Sequence, residues 1–319
     1  MRIVTIGGGT GQFALLSALK NIPGIEISAI VSMVDSGGST GKLRDEYGVL
    51  PPGDVLKCLI ALSPYKDARD ILQTRFESGK LKNHNAGNLL LVFLSQYLGN
   101  DFRLAIEELG RILNIKGKVL PVTTDKATLV AELENGQMIF SESEIDLRGS
   151  AGLPAQAGKI KKTFLVPHSG RMEINPEAEN AIEKADYIFI GPGDLFTSIT
   201  PNFLVPGVAE SFRKSKAKIV YILNIMTKYA ETNGFTAKDF VEKIEKYLGR
   251  RVDCVLANDR RPQSSVMKKY KKEKARLVEI DLKSGGSRKI IAEDLITDGE
   301  LARHDVKKLN DAILNRIFK

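Results

Sequence analysis

The chain has 319 residues, of which 43% are hydrophobic and 27% charged, with a formal charge of +8 at pH 7. These values are those of an ordinary soluble globular protein and exclude a disordered chain, a fibrous repeat and a small domain that needs staples to keep a core. The two cysteines, Cys58 and Cys254, stand without CxxC or histidine-spaced partners, which argues against a disulfide framework or a structural zinc site and for a reducing compartment.

From the amino terminus, Arg2-Ile3-Val4-Thr5-Ile6 alternates as a buried strand. The glycines that follow it lead into Gln12–Lys20, whose apolar spacing is helical. No signal-peptide core and no apolar run near the roughly 18 residues of a spanning helix is present, so a cytoplasmic protein without a membrane span is expected. A second apolar run, Ile25 to Val34, ends in Asp35 and a further glycine turn, Ser36-Gly37-Gly38-Ser39-Thr40-Gly41. Pro51-Pro52-Gly53-Asp54 then precedes a helical stretch that Asp54 is placed to cap, and Asn88 likewise precedes one at Leu89–Leu94.

Between residues 118 and 166 the texture turns β-like, with runs at Val119–Val122, Thr128–Leu133, Gln137–Phe140 and Lys162–Val166. Glu134-Asn135-Gly136-Gln137 carries a hairpin signal. This stretch reads as a small antiparallel lobe inserted in one domain of residues 1–319. The α/β rhythm resumes with a helix at Pro176–Lys184, strands at Tyr187–Ile190, Lys218–Leu223 and Val252–Leu256, a helix at Ala237–Leu248 and a closing helix from Asp298 to Lys319. The expected fold is α/β: a Rossmann-like, doubly wound, mostly parallel sheet with a small antiparallel insertion.

Each expected parallel strand ends in glycine or polar residues: Gly7–Gly11, Asp35–Gly38, Gly191-Pro192-Gly193-Asp194, Asn224–Thr227 and Ala257–Arg261. That edge of an open α/β sheet is where ligands bind, so these loops should face one crevice. In the first, Gly8, Gly9, Thr10 and Gly11 suit close approach of a phosphate to backbone amides at a helix start. Gln12 departs from the dinucleotide fingerprint, and no P-loop pattern is present. Asp35 follows Gly11 by 24 residues, near the roughly 20-residue spacing of a ribose-binding acid, and equally suits magnesium or its own turn amides.

Ser36, Gly37 and Gly38 extend that turn. Gly191, Gly193, Asp194, Thr197 and Ser198 form a second candidate anion nest. His84 and Asn88 sit around a glycine-containing turn and are candidates for ligand contact, and Asn224 and Thr227 for reading a base or sugar edge. No histidine pair has metal-ligand spacing and no catalytic triad can be assembled; the catalytic residues stay open, with Asp35 and Asp54 as candidates and Asp35, Asp54 or Asp194 as candidate holders of magnesium. The basic run Lys268–Arg276 reads as a solvated helix face without the aromatic positions of a nucleic-acid site.

Taken together, Gly7–Gly11, Asp35–Gly41, Pro51–Asp54, His84–Asn88, Gly191–Asp194 and Asn224–Thr227 resemble the CofD/YvcK-like family over nearly the whole chain. The resemblance implies one of two activities. The first is that of the gluconeogenesis-factor branch, a UDP-sugar-binding regulator tied to carbon metabolism and cell shape. The second is a magnesium-dependent 2-phospho-L-lactate transferase using a guanosine nucleotide donor and a deazaflavin acceptor. The sequence is more similar to the first branch, for which protein partners and a homo-oligomer are compatible, and the same resemblance makes Tyr270 and Arg303 candidates for the uridine-sugar end. Leu56 stands where an arginine is common, and Lys228-Tyr229-Ala230-Glu231-Thr232 replaces a glutamine-, proline- and glycine-containing version.

Overall fold

The structure is a computed structural model describing residues 1–148, 158–283, 285 and 288–319. Its strands are β1 (Arg2–Gly7), β2 (Glu26–Val31), β3 (Lys118–Pro121), β4 (Ala127–Leu133), β5 (Met138–Phe140), β6 (Ile160–Pro167), β7 (Tyr187–Ile190), β8 (Lys218–Ile222), β9 (Cys254–Asn258) and β10 (Lys289–Glu293). Seven form one sheet in the order β10-β9-β8-β7-β1-β2-β3, with every pair parallel. The other three form a separate antiparallel sheet in the order β5-β4-β6.

The sheet is buried on both faces because its strands alternate between two cores. Ile188, Ile190, Ile219 and Tyr221 belong to one, and Phe189, Val220 and Ile222 to the other. Successive side chains of a strand point to opposite faces, so a continuous apolar run is what a parallel strand covered on both sides requires. On the second face α1 (Gly9–Leu19) packs against α3 (Pro52–Leu62), while α2 (Gly38–Tyr47) follows β2.

β1 lies between β2 and β7, so the order of the chain across the sheet reverses there. Ile6 is level with Ile30 on one side and with Ile190 on the other. The loops after β1 and β7 therefore leave the same edge side by side, at the switch point where doubly wound sheets hold ligands.

Four expectations are corrected. The run at Val119–Val122 does not belong to the antiparallel lobe: β3 pairs parallel with β2 in the main sheet, leaving β4, β5 and β6 to the small one, with the Asn-Gly hairpin between β4 and β5. The helix expected at 298–319 is confined to Val306–Ala312 and a π-helical turn at Ile313–Ile317, because Asp305 caps it by accepting from the amides of Lys307 and Lys308. Asp54 makes no capping bond and sits inside α3, whose N-cap is Pro51. Asn88 is likewise inside the helix Ala86–Tyr97, where Asn85 is the cap and accepts from the Asn88 amide at 2.8 Å.

Among the described residues no helix is long and apolar enough to cross a membrane. The helix Ser264–Lys272 carries the basic run on an exposed face, and Cys58 and Cys254 are buried free thiols.

Candidate functional site

Gly8 precedes α1 in extended conformation, and Gly9 has φ +64°, a left-handed value that favours glycine. The turn after β7 fits against this loop. A β-carbon on Gly11 would overlap the carbonyl oxygen of Pro192, and one on Gly193 would lie 3.6 Å from the Gly8 carbonyl oxygen. Asn224, after β8, donates from Nδ2 to the Gly193 carbonyl at 2.8 Å and ties the third loop to the second. Gln12 takes up the room that a fingerprint glycine would leave: buried, it donates to Thr5 Oγ1 at 3.1 Å and to the Ile30 carbonyl at 3.3 Å, fastening α1 to the sheet.

These loops enclose a hollow of about 290 Å³ lined by Gly8, Gly9, Thr10, Gly11, Asp35, Asp54, Gly193, Asp194, Thr197 and Ser198, with Ser32, Val34, Lys57, Glu142 and Asp146. It adjoins a larger cleft of about 1010 Å³, and Thr10, Gly11, Asp146 and Asp194 line both. Asn224, Thr227, Tyr270 and Arg303 line the cleft. Ser32 is 3% exposed and its hydroxyl has no hydrogen-bond partner. A buried polar atom left unsatisfied at a cavity wall is unusual and is relieved by a ligand or water.

The wall is rich in carboxylates. Burial and the neighbouring Asp54 push Asp35 upward from its ordinary range, against the pull of the Gly37 amide and Lys57. Burial and Asp35 push Glu142 up to about 8. The Lys57 ammonium, 3.0 Å from Asp54 Oδ1, is held above its usual range by the two aspartates despite its burial. On the other side Lys228 sits among Asp146, Asp194 at 2.7 Å and Glu231 at 3.1 Å, three acids whose oxygens lie within 4.8 Å of one another. Glu231 is buried and receives the Phe196 amide at 2.9 Å and the Thr197 hydroxyl at 3.1 Å, so the Thr197 hydroxyl is already engaged.

Not every expected residue reaches this place. Ser36 does not line either space; its amide donates to Glu142 Oε2 at 3.3 Å, and its hydroxyl pairs with Ser143. Gly37 donates to Asp35 Oδ1, and Gly38 and His84 line a different cavity. Asn88 lies beneath that second cavity, 3.5 Å from Ser39 Oγ. Gly191, with φ +72°, shapes the turn after β7 from behind.

Conversely, Ser32, Lys57, Glu142, Asp146, Lys228 and Glu231 were not foreseen. Glu142 and Asp146 come from the short helix Glu142–Leu147 of the antiparallel lobe, capped by Ser141. The Ser141-Glu142-Ser143-Glu144 spacing signals that helix start, but nothing local signals that it reaches across to Asp35.

The fold and this crevice define a doubly wound α/β protein with a glycine-lined hollow at the switch point of its sheet. The family described as 2-phospho-L-lactate transferase CofD matches residues 3–296, and the chain belongs to that family. It is 41% identical over 320 residues to the gluconeogenesis factor of Halalkalibacterium halodurans, covering 98% of this chain and 95% of that protein. It is 38% identical over 321 residues to the gluconeogenesis factor of Bacillus subtilis, covering 98% and 97%. A crystal structure of a UPF0052-family protein from Bacillus halodurans is similar at 40% identity and a TM-score of 0.89, over 98% of this chain and 99% of that one.

Proposed function

We propose that the chain binds a nucleotide sugar of the UDP-N-acetylglucosamine kind and acts through it as a regulatory protein of carbon metabolism and cell shape. The observation that carries this reading is the continuity of the two spaces at Thr10–Gly11. The small hollow offers helix-start amides, the hydroxyls of Thr10 and Ser198 and Lys57 to a diphosphate, and the large cleft offers Asn224, Thr227, Tyr270 and Arg303 to the uridine and sugar ends. The names of the relatives, gluconeogenesis factors, support the metabolic role.

The carboxylates beside the phosphate position need compensation, since like charges at short range disfavour each other. Asp35 and Asp54 suit a divalent cation: burial and the neighbouring Asp54 raise the proton affinity of Asp35, and the Gly37 amide, Lys57 and the Thr40 hydroxyl only partly offset this. Asp35 and Asp54 would hold magnesium, which would supply Lewis acidity beside the phosphate when bound. The same pair favours a second reading, in which the site is a 2-phospho-L-lactate transferase-like enzyme using a guanosine nucleotide and a deazaflavin acceptor, with the glycine loop stabilising the leaving phosphate.

Calorimetry with UDP-N-acetylglucosamine and GDP, each with and without magnesium, tests both. Saturable binding of the UDP sugar supports the regulator. The enzyme reading requires magnesium-dependent release of guanosine monophosphate from a lactyl diphosphoguanosine donor in the presence of the acceptor, and absence of any UDP-sugar binding at millimolar ligand would remove the first reading.

A further inference from the structure

The second glycine turn has two ends. Asp35 faces the hollow, but Gly38 and Ser39 line a separate cavity of about 280 Å³ together with Lys42, Arg75, Lys82 and His84. Three of its lining side chains are cations, and none of the lining residues is a carboxylate. His84 is 7% exposed; its Nδ1 lies 2.9 Å from Ser39 Oγ, and its Nε2 has no partner among the described residues. That nitrogen is not sealed from solvent, so the imidazole offers a hydrogen-bonding position at the cavity wall.

The surroundings are built rather than incidental. The first turn of the ten-residue α2 presents the amides of Gly38, Ser39 and Thr40 without side-chain cap or other partner. Unpaired amides and the helix dipole favour an anion there. The segment that carries Lys82 is closed on itself: the Phe76 amide donates to the His84 carbonyl and the Asn83 amide to the Phe76 carbonyl, both at 2.9 Å, and Arg75 bonds the Asn83 carbonyl. Lys42 and Lys82 make no ion pair with any described residue.

We propose that this cavity is a second anion site that takes a phosphoryl group, with α2 amides, the His84 imidazole, Lys42, Lys82 and Arg75 around it. The volume exceeds that of one phosphate group, which favours a small phosphorylated metabolite over the free ion. The site is independent of the nucleotide-sugar reading, since none of its cations lines the hollow or the cleft.

The test uses the whole chain with its histidines isotopically labelled; there are three, and His84→Gln assigns the ring signal of His84. Inorganic phosphate and a hexose 6-phosphate are titrated in separate arms at low ionic strength, followed by the His84 resonance. The expected result is a saturable shift, tighter for the hexose phosphate, weakened about tenfold or more in Lys42→Glu and Lys82→Glu. Both are exposed side chains whose reversal leaves UDP-sugar affinity as it was. A shift only with inorganic phosphate would keep the anion site and reject the metabolite. A His84 signal unmoved by either, or moved equally in the reversed variants, would overturn the site whatever the glycine loop binds.

Discussion

Gly11 and Pro192 stand so close that the loop after β1 and the turn after β7 touch backbone to side-chain position, with no space for even a methyl group between them. Gly11→Ala must therefore push the two walls of the hollow apart. The expected cost is about 1–3 kcal/mol of stability, as for overpacking elsewhere, together with a loss of UDP-sugar affinity of about tenfold or more. Thermal melts and calorimetry on the variant check both, and an alanine protein that binds and melts like the parent would refute the close fit.

Glu142 provides a pH signature. Its proton affinity is raised in the folded protein from the ordinary value of 4.5 to about 8, so between these values the folded state holds a proton that the unfolded state has released. Its contribution is then fully present below the unfolded value and is lost as pH rises through the folded one. Stability should fall between about pH 4.5 and about pH 8, and Glu142→Gln should flatten that slope. Denaturant midpoints across the range would show it; identical slopes in the two proteins would count against the buried carboxyl.

Lys228 is the shared ion-pair partner of Asp146, Asp194 and Glu231. Lys228→Met leaves the buried Glu231 without its counter-charge and should cost about 1–3 kcal/mol. Adding Glu231→Gln should return part of that loss, since the two residues act as a pair. Urea unfolding of both single variants and the double measures the coupling; strict additivity would show that the lysine does not serve the glutamate.

Arg303 belongs to the cleft rather than to the folding core. Arg303→Ala should lower UDP-sugar affinity by about tenfold, of the order of a lost charge-assisted contact, while the melting temperature stays near that of the parent. Equal affinity would move the uridine-sugar end away from the carboxyl-terminal segment.

The parallel sheet was legible because each of its strands is a short apolar run closed by glycine or polar residues, as at Tyr187–Ile190 before Gly191. The same rule put Gly8–Gly11, Asp35 and Gly193–Asp194 at one edge. β10 escaped because Lys289-Ile290-Ile291-Ala292-Glu293 is an edge strand with charged ends. The acids of the lobe and the Lys228 cage escaped for a different reason. Glu142 meets the turn at Ser36 across 106 residues of chain, and Lys228 meets Asp146 across 82. Pairings at that range leave no periodicity behind. His84 was singled out for ligand contact by its neighbours in sequence, but nothing local told which space it lines; its ring is turned to Ser39 at the far end of the second turn and faces the separate cavity.

The reversal of strand order at β1 draws the two glycine jaws of the hollow from distant parts of the polypeptide: one is made before residue 60, the other after residue 190, with Glu142 and Asp146 of the lobe between them. Neither piece carries a complete grip. A chain severed in the antiparallel excursion between β3 and β7 would leave two partners that rebuild the hollow only by reassociating along the β1–β7 seam. Ligand capture would then report on tertiary assembly, and a nucleotide that spans the seam would act as a clamp holding the halves of the sheet together.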